Sequence, residues 1–287
     1  MKNIVIATNP DVGYYNIMVE SCKRNKLELV VLGMGKPWNG LSDKYRYWIE
    51  YLETLPDNEI VMLNDAYDVI ILDTPKNITS KFKSFNKPVV FSIQKGSIID
   101  FTFPKYFDHV VCTGNIIGYV KSILHILRLV VKHKEAWIAN SDQIIFNEVI
   151  SKEQYMQNNI GLDTDQTLFY VTSIEHFAVN KDISELEMKN GKLYNKSTTN
   201  NHPDKPISVL HLAANINGDK YLEHVGYNLE NNKVKPPGKY KIKQIMEYVR
   251  YVLYKNSKPV LIANCSFIAI FIIGMFIYII RKHMTNK

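Results

Sequence analysis

The sequence of 287 residues contains few cysteines and no closely spaced pair of them. Cys22, Cys112 and Cys265 lie at least 90 residues apart. A disulfide framework needs an even set of cysteines, and a structural zinc site needs ligand pairs a few residues apart. The sequence therefore excludes both kinds of site and fits a reducing compartment.

The N-terminus lacks the apolar stretch of a secretory leader. A short apolar run at residues 4–8 is followed at once by Asn9, Pro10 and Asp11. The hydrophobic region of a signal peptide is longer, about 7 to 15 residues. We therefore expect no signal peptide and interpret this segment as a buried strand that ends in a turn.

Acidic residues are nearly missing from the last fifth of the chain. Residues 233–287 contain eleven Lys and Arg but one acid, Glu247, whereas residues 1–232 contain 24 basic and 27 acidic residues. The net charge of +7 therefore belongs to the C-terminal part. This distribution favours attraction to anionic lipid head groups and makes nucleic-acid binding a distant alternative.

One hydrophobic run is long enough to cross a bilayer. Residues 260–280 are 21 residues without a charge, between Lys258 and Arg281-Lys282. A helix rising about 1.5 Å per residue spans about 30 Å over this length. Because seven residues follow, we expect a single-pass C-terminal tail anchor with the soluble domain in the cytosol. Basic residues on both flanks leave the positive-inside rule indecisive.

The expected organisation has four parts. Residues 1–230 form the soluble domain, and residues 231–258 form a basic juxtamembrane linker with an amphipathic helix. Residues 259–281 form the transmembrane helix, and residues 282–287 form a short tail.

Short apolar runs alternate with helical patterns along the soluble part. The strand-like runs lie at 4–8, 27–33, 59–65 and 88–93, and the helical patterns at 14–25, 45–55 and 142–150. We interpret residues 110–131 as a turn followed by an amphipathic helix, and residues 189–206 as an exposed loop. Such alternation predicts an α/β, Rossmann-like fold with a mostly parallel central sheet.

Two carboxylates stand where a predicted strand meets a loop. The apolar run at 59–65 leads into Asp65-Ala66-Tyr67-Asp68. In open α/β sheets, ligands bind at the carboxyl ends of the strands. Two neighbouring carboxylates are suited to Mg²⁺ or Mn²⁺, which can bridge to a nucleotide diphosphate. Turn capping by aspartate is the alternative interpretation of this pattern.

The order of several segments resembles the glycosyltransferase domain of the procollagen lysyl hydroxylase family over most of residues 1–228. The matching segments are IVIAT (4–8), VVLGMGKPWNG (30–40), DKYRYWIEYLE (43–53), VMLNDAYDVIILDTP (61–75), GNIIGY (114–119), SDQIIFNE (141–148), GLDTDQTLFY (161–170) and HLAANINGDKYLEHVGYN (211–228). The resemblance implies a GT-A-like fold that uses a UDP-sugar, UDP-glucose or UDP-galactose, together with Mn²⁺ or Mg²⁺.

The resemblance also implies a metal site formed by Asp65, Asp68 and His211. A neutral imidazole is an acceptable ligand for Mn²⁺ beside two carboxylates. A histidine that only fills the end of a buried strand is the alternative for His211.

Nucleotide-binding residues follow from the same resemblance. Tyr67 and Trp38 match aromatic residues that hold the uridine, and such rings stack on a planar base. Lys44 and Lys220 match basic positions near the phosphates, and Gly218 lies beside Lys220. Loop packing is the alternative for Trp38, and a solvated lysine is the alternative for the two basic residues.

Asp142 and Gln143 match the end of a polyacidic run near the acceptor side of the family. A carboxylate there can act as a base or stabilise positive charge developing on the sugar. A helix N-cap is the competing interpretation of Asp142, because a helical pattern follows it.

Departures from the family cluster on the acceptor side. Cys112-Thr113-Gly114-Asn115 replaces an Asn-Ser-Gly-Gly turn, Asn140-Ser141-Asp142 is all that remains of the polyacidic run, and Gln94 replaces a glutamate. The leading hypothesis is a membrane-anchored glycosyltransferase that transfers a hexose from a UDP-sugar to a protein or glycan acceptor, including collagen-like ones. The alternative is a catalytically degenerate relative with a structural or adaptor role.

Overall fold

The computed structural model describes residues 1–38, 40, 43–95, 105–132, 142–153, 158–172, 185–196, 205–213 and 217–229. None of the helices within these ranges is both long and apolar enough to cross a membrane. The predicted span at 260–280 lies outside the described residues, as do the predicted linker and amphipathic helix before it.

Eleven strands and six helices are used in the description below. In chain order they are β1 (Lys2–Ile6), α1 (Tyr15–Arg24), β2 (Glu28–Leu32), α2 (Asp43–Leu52), β3 (Ile60–Asp65), β4 (Val69–Ile71), α3 (Pro75–Ser84), β5 (Val89–Gln94), β6 (Val110–Tyr119), α4 (Val120–Lys132), α5 (Asp142–Lys152), β7 (Ile160–Asp163), β8 (Phe169–Val171), β9 (Leu186–Lys189), β10 (Lys192–Asn195), β11 (Val209–His211) and α6 (Asp219–His224).

The central sheet has six strands in the order β2-β1-β3-β6-β5-β7. Five strands run in one direction, and β6 is antiparallel to both of its neighbours. All six residues of β5 are buried, as expected for a strand whose two faces are both covered. The predicted α/β fold with a central sheet is therefore confirmed.

The prediction of a turn at the start of residues 110–131 is wrong, because this segment is strand β6. Its turn-like residues form a bulge inside the strand instead. Phe91 pairs with Ile116 while Ser92 pairs with Cys112, so residues 113–115 have no partner on β5. Bulges of this kind re-aim side chains next to binding sites.

A second sheet, with the strand order β4-β11-β8, contains His211. Strand β11 pairs antiparallel with β4 and parallel with β8. Strands β9 and β10 form an antiparallel hairpin, so the exposed loop predicted for 189–206 is wrong over residues 189–195. In that segment, Asn190 and Gly191 both have positive φ and form the tight connection of the hairpin.

Three loops leave the same edge of the central sheet. Ile6 at the end of β1 is in register with Leu32 at the end of β2 and with Asp65 at the end of β3. The loops after these parallel strands therefore begin side by side. This edge is the carboxyl edge at which the sequence pattern places ligand binding.

Candidate metal and nucleotide site

Asp65, Asp68 and His211 come together at the carboxyl edge. Asp65 ends β3, Asp68 lies in the turn between β3 and β4, and His211 ends β11. His211 Nε2 lies 3.5 Å from Asp68 Oδ1 and 3.9 Å from Asp65 Oδ2. One ligand atom from each residue lies within 4.8 Å of the others. The structure thus places together all three residues predicted to bind metal.

The backbone fixes the position of His211 beside Asp68. The amide of Leu212 donates to the carbonyl oxygen of Asp68 at 2.7 Å. In addition, His211 pairs with Val69 across the two strands. This pairing of β4 with β11 joins residues that lie 138 to 142 positions apart in the sequence.

Gly114 supplies the room that the cluster needs. A Cβ at this position would lie 2.3 Å from His211 Cε1 and 2.6 Å from Asp65 Oδ2. Any side chain would therefore displace both groups. Gly114 lies in the bulge of β6, where residues 113–115 have no register partner on β5.

The imidazole of His211 faces the aspartates with Nε2 and is oriented by the contacts of Nδ1. His211 Nδ1 lies 2.7 Å from Asn115 Oδ1 and 3.7 Å from Cys112 Sγ. Burial opposes a positive charge on His211, but Asp68 and Cys112 together outweigh burial and hold the pKa of the imidazole well above its usual value. The carboxylates therefore attract positive charge to this point.

These residues fit a small divalent cation. In an octahedral site with bonds of about 2.1 Å, adjacent ligands are about 3 Å apart and opposite ligands about 4 Å. The separations of 3.5 and 3.9 Å at His211 Nε2 lie in that range. Two carboxylates and one imidazole form a donor set that Mn²⁺ accepts. Asp65, whose side chain is 39% exposed, keeps one side of the cluster open to ligand.

Lys44 joins the metal cluster to Asp142. This lysine lies on α2 with its side chain 7% exposed, and its ammonium group is 3.5 Å from Asp65 Oδ1 and in contact with Asp142 Oδ2. Burial opposes the charge, but Asp142 and Asp65 outweigh it and raise the pKa of Lys44 above its usual value. Lys44 is therefore a fixed buried cation and not a solvated lysine.

The carboxylate of Asp142 is committed to side chains of the site. Asp142 is the first residue of α5 and accepts a hydrogen bond from Thr113 Oγ1 at 2.7 Å besides its contact with Lys44. Tyr45 donates to the carbonyl oxygen of Asp142 at 2.8 Å. Asp142 thus lies at the start of a helix with its charge balanced by Lys44 and one carboxylate oxygen hydrogen-bonded by Thr113.

Gln143 lies at the margin of the same region. Its Nε2 is 3.5 Å from Gln94 Oε1, and Gln94 Nε2 donates to the carbonyl oxygen of Thr172 at 3.3 Å. Asn147, one turn further along α5, forms two hydrogen bonds of 2.7 Å with the backbone of Val111. These contacts hold α5 against β6 and keep Asp142 in place.

The two predicted uridine-binding aromatics differ in their surroundings. The hydroxyl of Tyr67 accepts from the amides of Thr8 and Asn9 at 2.9 and 3.2 Å. Tyr67 therefore holds the loop after β1, while its ring is partly exposed beside the two aspartates. Trp38 lies in the loop after β2 and is 39% exposed, at the same edge of the sheet.

Gly218 and Lys220 lie at the start of α6. The amide of Gly218 donates to Tyr14 Oη at 2.9 Å, and a Cβ at 218 would meet Leu212 Cδ1 at 2.4 Å. Close packing against Leu212 is therefore enough to explain why position 218 is a glycine. Lys220 is exposed on α6.

The structure adds four residues that the sequence reasoning does not predict as part of the site. They are Asn64, Thr113, Gly114 and Asn115. The segment 112–115 stood out only as a departure from a family pattern, and nothing in its spacing shows that three consecutive residues each contact a different part of the cluster. A bulge can achieve this because it breaks the strict alternation of a strand.

A family model described as PLOD GT domain matches residues 1–235. Human procollagen-lysine,2-oxoglutarate 5-dioxygenase 1 is 26% identical over 176 residues, which cover 56% of this chain and 24% of that protein. The Drosophila melanogaster procollagen-lysine,2-oxoglutarate 5-dioxygenase is 25% identical over 187 residues, 59% of this chain and 25% of that protein. The uncharacterized protein R699 of Acanthamoeba polyphaga mimivirus is 25% identical over 142 residues, which cover 44% of this chain and 30% of that protein. The matched region thus spans about a quarter to a third of these relatives.

Two solved structures align with about three quarters of this chain. A glycosyltransferase involved in glycosylation of the major capsid of PBCV-1 is 13% identical, with a TM-score of 0.42 over 74% of this chain and 95% of the other. The galactosyltransferase LgtC, solved with donor and acceptor sugar analogs, is 12% identical, with a TM-score of 0.45 over 74% of this chain and 87% of the other.

Proposed function

The chain belongs to the PLOD GT domain family, and on that premise we propose that it is a glycosyltransferase with a UDP-sugar donor and a requirement for Mn²⁺ or Mg²⁺. It transfers a hexose to a protein or glycan acceptor at a membrane surface. The observation that carries this proposal is the cluster of Asp65, Asp68 and His211 at the carboxyl edge of the sheet.

The chemistry of the cluster supports nucleotide-diphosphate binding. A divalent cation held there would neutralise phosphate charge and stabilise the leaving UDP. Asp65, Asp68 and His211 hold the cation, and Lys44 keeps Asp65 and Asp142 fixed around it. Trp38 and Tyr67 border the same edge and offer faces for the uracil ring, while Lys220 offers a charge for the phosphates.

Binding of UDP to the full chain tests the proposal. We expect calorimetric titration to show UDP binding with Mn²⁺ present and none with EDTA. Asp68→Ala should abolish it. Asp73→Ala is the matched control, because Asp73 also forms a partly buried contact with a lysine, Lys81, but is not part of the cluster. UDP binding that is independent of metal, or unchanged in Asp68→Ala, would contradict the proposal.

A non-catalytic structural or adaptor protein is the second candidate. Its support is Asp142, whose carboxylate is buried, paired with Lys44 and hydrogen-bonded by Thr113. Hydrolysis of UDP-glucose or UDP-galactose by the wild type, lost in Asp142→Asn, would favour the enzyme. Donor binding without hydrolysis, and without transfer in a screen that includes collagen-like peptides, would favour the adaptor.

The membrane anchor is part of the same proposal and rests on residues 260–280. Digestion of intact membranes with protease should remove the soluble domain if it faces the cytosol. A protected domain would instead place it in a lumen and make collagen-like proteins reachable acceptors. Removal of residues 259–287 should release the protein from membranes, and continued sedimentation with them would contradict the anchor.

A further inference from the structure

Three buried asparagines form a continuous row that ends on His211. Asn3 lies on β1, Asn64 on β3 and Asn115 on β6, so the row crosses three neighbouring strands of the central sheet. All three are 0% exposed, and His211 is 3% exposed. Each buried amide in such a row needs a hydrogen-bond partner, because an unpaired polar group is costly in the core.

Short hydrogen bonds connect every step of the row. Asn3 Oδ1 accepts from Asn64 Nδ2 at 2.8 Å, and Asn64 Oδ1 accepts from Asn115 Nδ2 at 2.8 Å. Asn115 Oδ1 then lies 2.7 Å from His211 Nδ1. Each amide therefore presents its oxygen toward the site and its nitrogen toward the core.

The core end of the row favours this direction. Asn3 Nδ2 lies 3.4 Å from the sulfurs of Met18 and Cys22, and a thioether sulfur only accepts hydrogen bonds. A reversed row would place an amide oxygen against Met18, where neither atom can donate. At the site end, Ser92 Oγ lies 3.4 Å from Asn115 Oδ1, and its hydroxyl also has the carbonyl oxygens of Asn115 and Cys112 within reach at 3.3 and 3.4 Å.

The direction determines which nitrogen of His211 carries the proton. An oxygen facing Nδ1 requires Nδ1 to be a donor, so the nitrogen that remains to bind a cation is Nε2, which faces Asp65 and Asp68. We propose that Asn115 is a positioning residue that fixes the orientation and tautomer of His211 for metal binding, with Asn64 and Asn3 holding its amide.

This inference rests on the proposed function in one respect, because it takes Asp65, Asp68 and His211 as the metal ligands. The first experiment therefore measures Mn²⁺ affinity directly, by electron paramagnetic resonance of free Mn²⁺ titrated with the full chain. Replacement of a group that orients a metal-bound histidine costs about 10- to 100-fold in affinity. We expect Asn115→Ala to fall in that range and Asn64→Leu to lose less.

A double-mutant cycle separates positioning from general damage. In a His211→Ala background, Asn115→Ala should cause no further loss of Mn²⁺ affinity, since its effect acts through the imidazole. An equal loss in both backgrounds would overturn the proposal. Asn195→Ala is the matched control, because Asn195 is a buried asparagine on β10 and should leave Mn²⁺ affinity unchanged.

A second measurement needs no metal and keeps the two proposals distinguishable. In the chain labelled with ¹⁵N-histidine, the Nδ1 proton of His211 should give a slowly exchanging resonance assigned by its loss in His211→Ala. Asn115→Ala should remove the slow exchange, and Asn195→Ala should preserve it. A protected Nδ1 proton in a chain that does not bind Mn²⁺ would refute the metal site but support the row. A proton on Nε2 alone would refute the row.

Discussion

Substitution of Gly114 by alanine tests the geometry of the candidate site most directly. The added Cβ would lie 2.3 Å from His211 Cε1 and 2.6 Å from Asp65 Oδ2. Carbon atoms in contact are normally about 3.5 to 4.0 Å apart, so the imidazole must move by more than about 1 Å. Metal ligands tolerate displacements of only about 0.2 Å. We therefore expect Mn²⁺ affinity to fall by about 100-fold or more.

Gly118→Ala is the matched control for this experiment. Gly118 lies on the same strand, and its added Cβ would meet the carbonyl oxygen of Pro88 at 2.7 Å, away from the cluster. Both variants should lose about 1 to 3 kcal/mol of stability from overpacking, measured by urea unfolding. Only Gly114→Ala should lose Mn²⁺ affinity in the electron paramagnetic resonance titration. Wild-type affinity in Gly114→Ala, or an equal loss in both variants, would refute the placement of the site.

Two further predictions concern buried charges. Lys44→Met leaves the carboxylate of Asp142 buried without its cation, and we expect a loss of roughly 3 to 5 kcal/mol in urea unfolding. Lys2→Met breaks the more exposed pair with Glu59 and should cost less than about 1 kcal/mol; similar losses would argue against a fixed role for Lys44. Burial raises the pKa of Asp163 to about 6 from 3.8. The pKa of Asp163 is higher in the folded than in the unfolded protein, so its contribution to the free energy of unfolding is fully present below about pH 4. This contribution is lost as pH rises through 6, and the loss is about 3 kcal/mol at 1.36 kcal/mol per pKa unit. Unfolding of the wild type and Asp163→Asn from pH 4 to 7 should show this difference, and parallel curves would contradict it.

About half of the regular elements could be predicted from local pattern. Buried parallel strands such as β3 and β5 are short apolar runs between helical patterns, and β-branched residues in such runs favour strands. Local pattern does not predict strand β6, because Gly114 and Asn115 are turn-forming residues in the middle of it. A bulge satisfies the same local preference within a strand, and only the pairing with β3 and β5 distinguishes the two.

The candidate metal ligands could be predicted in part. Asp65 and Asp68 follow an apolar strand, which is a local signal, whereas His211 was assigned only through a family resemblance. Its proximity to Asp68 depends on the pairing of β4 with β11, which no local pattern encodes. The predicted role of Gly218 in cofactor binding has a packing explanation in Leu212, and its binding role remains a prediction.

The sequence by itself determined about half of the strands and helices, the two aspartates at the end of β3, and the uncharged segment at 260–280, because periodicity, turn chemistry and hydropathy are properties of neighbouring residues. Only the tertiary structure decided that Lys44 and Asp142 form a buried pair, that Gly114 leaves room between Asp65 and His211, and that Asn3, Asn64 and Asn115 form a row leading to the imidazole. These contacts join residues from separate strands and helices. They arise when the sheet fixes which strands are neighbours and which residues share a register.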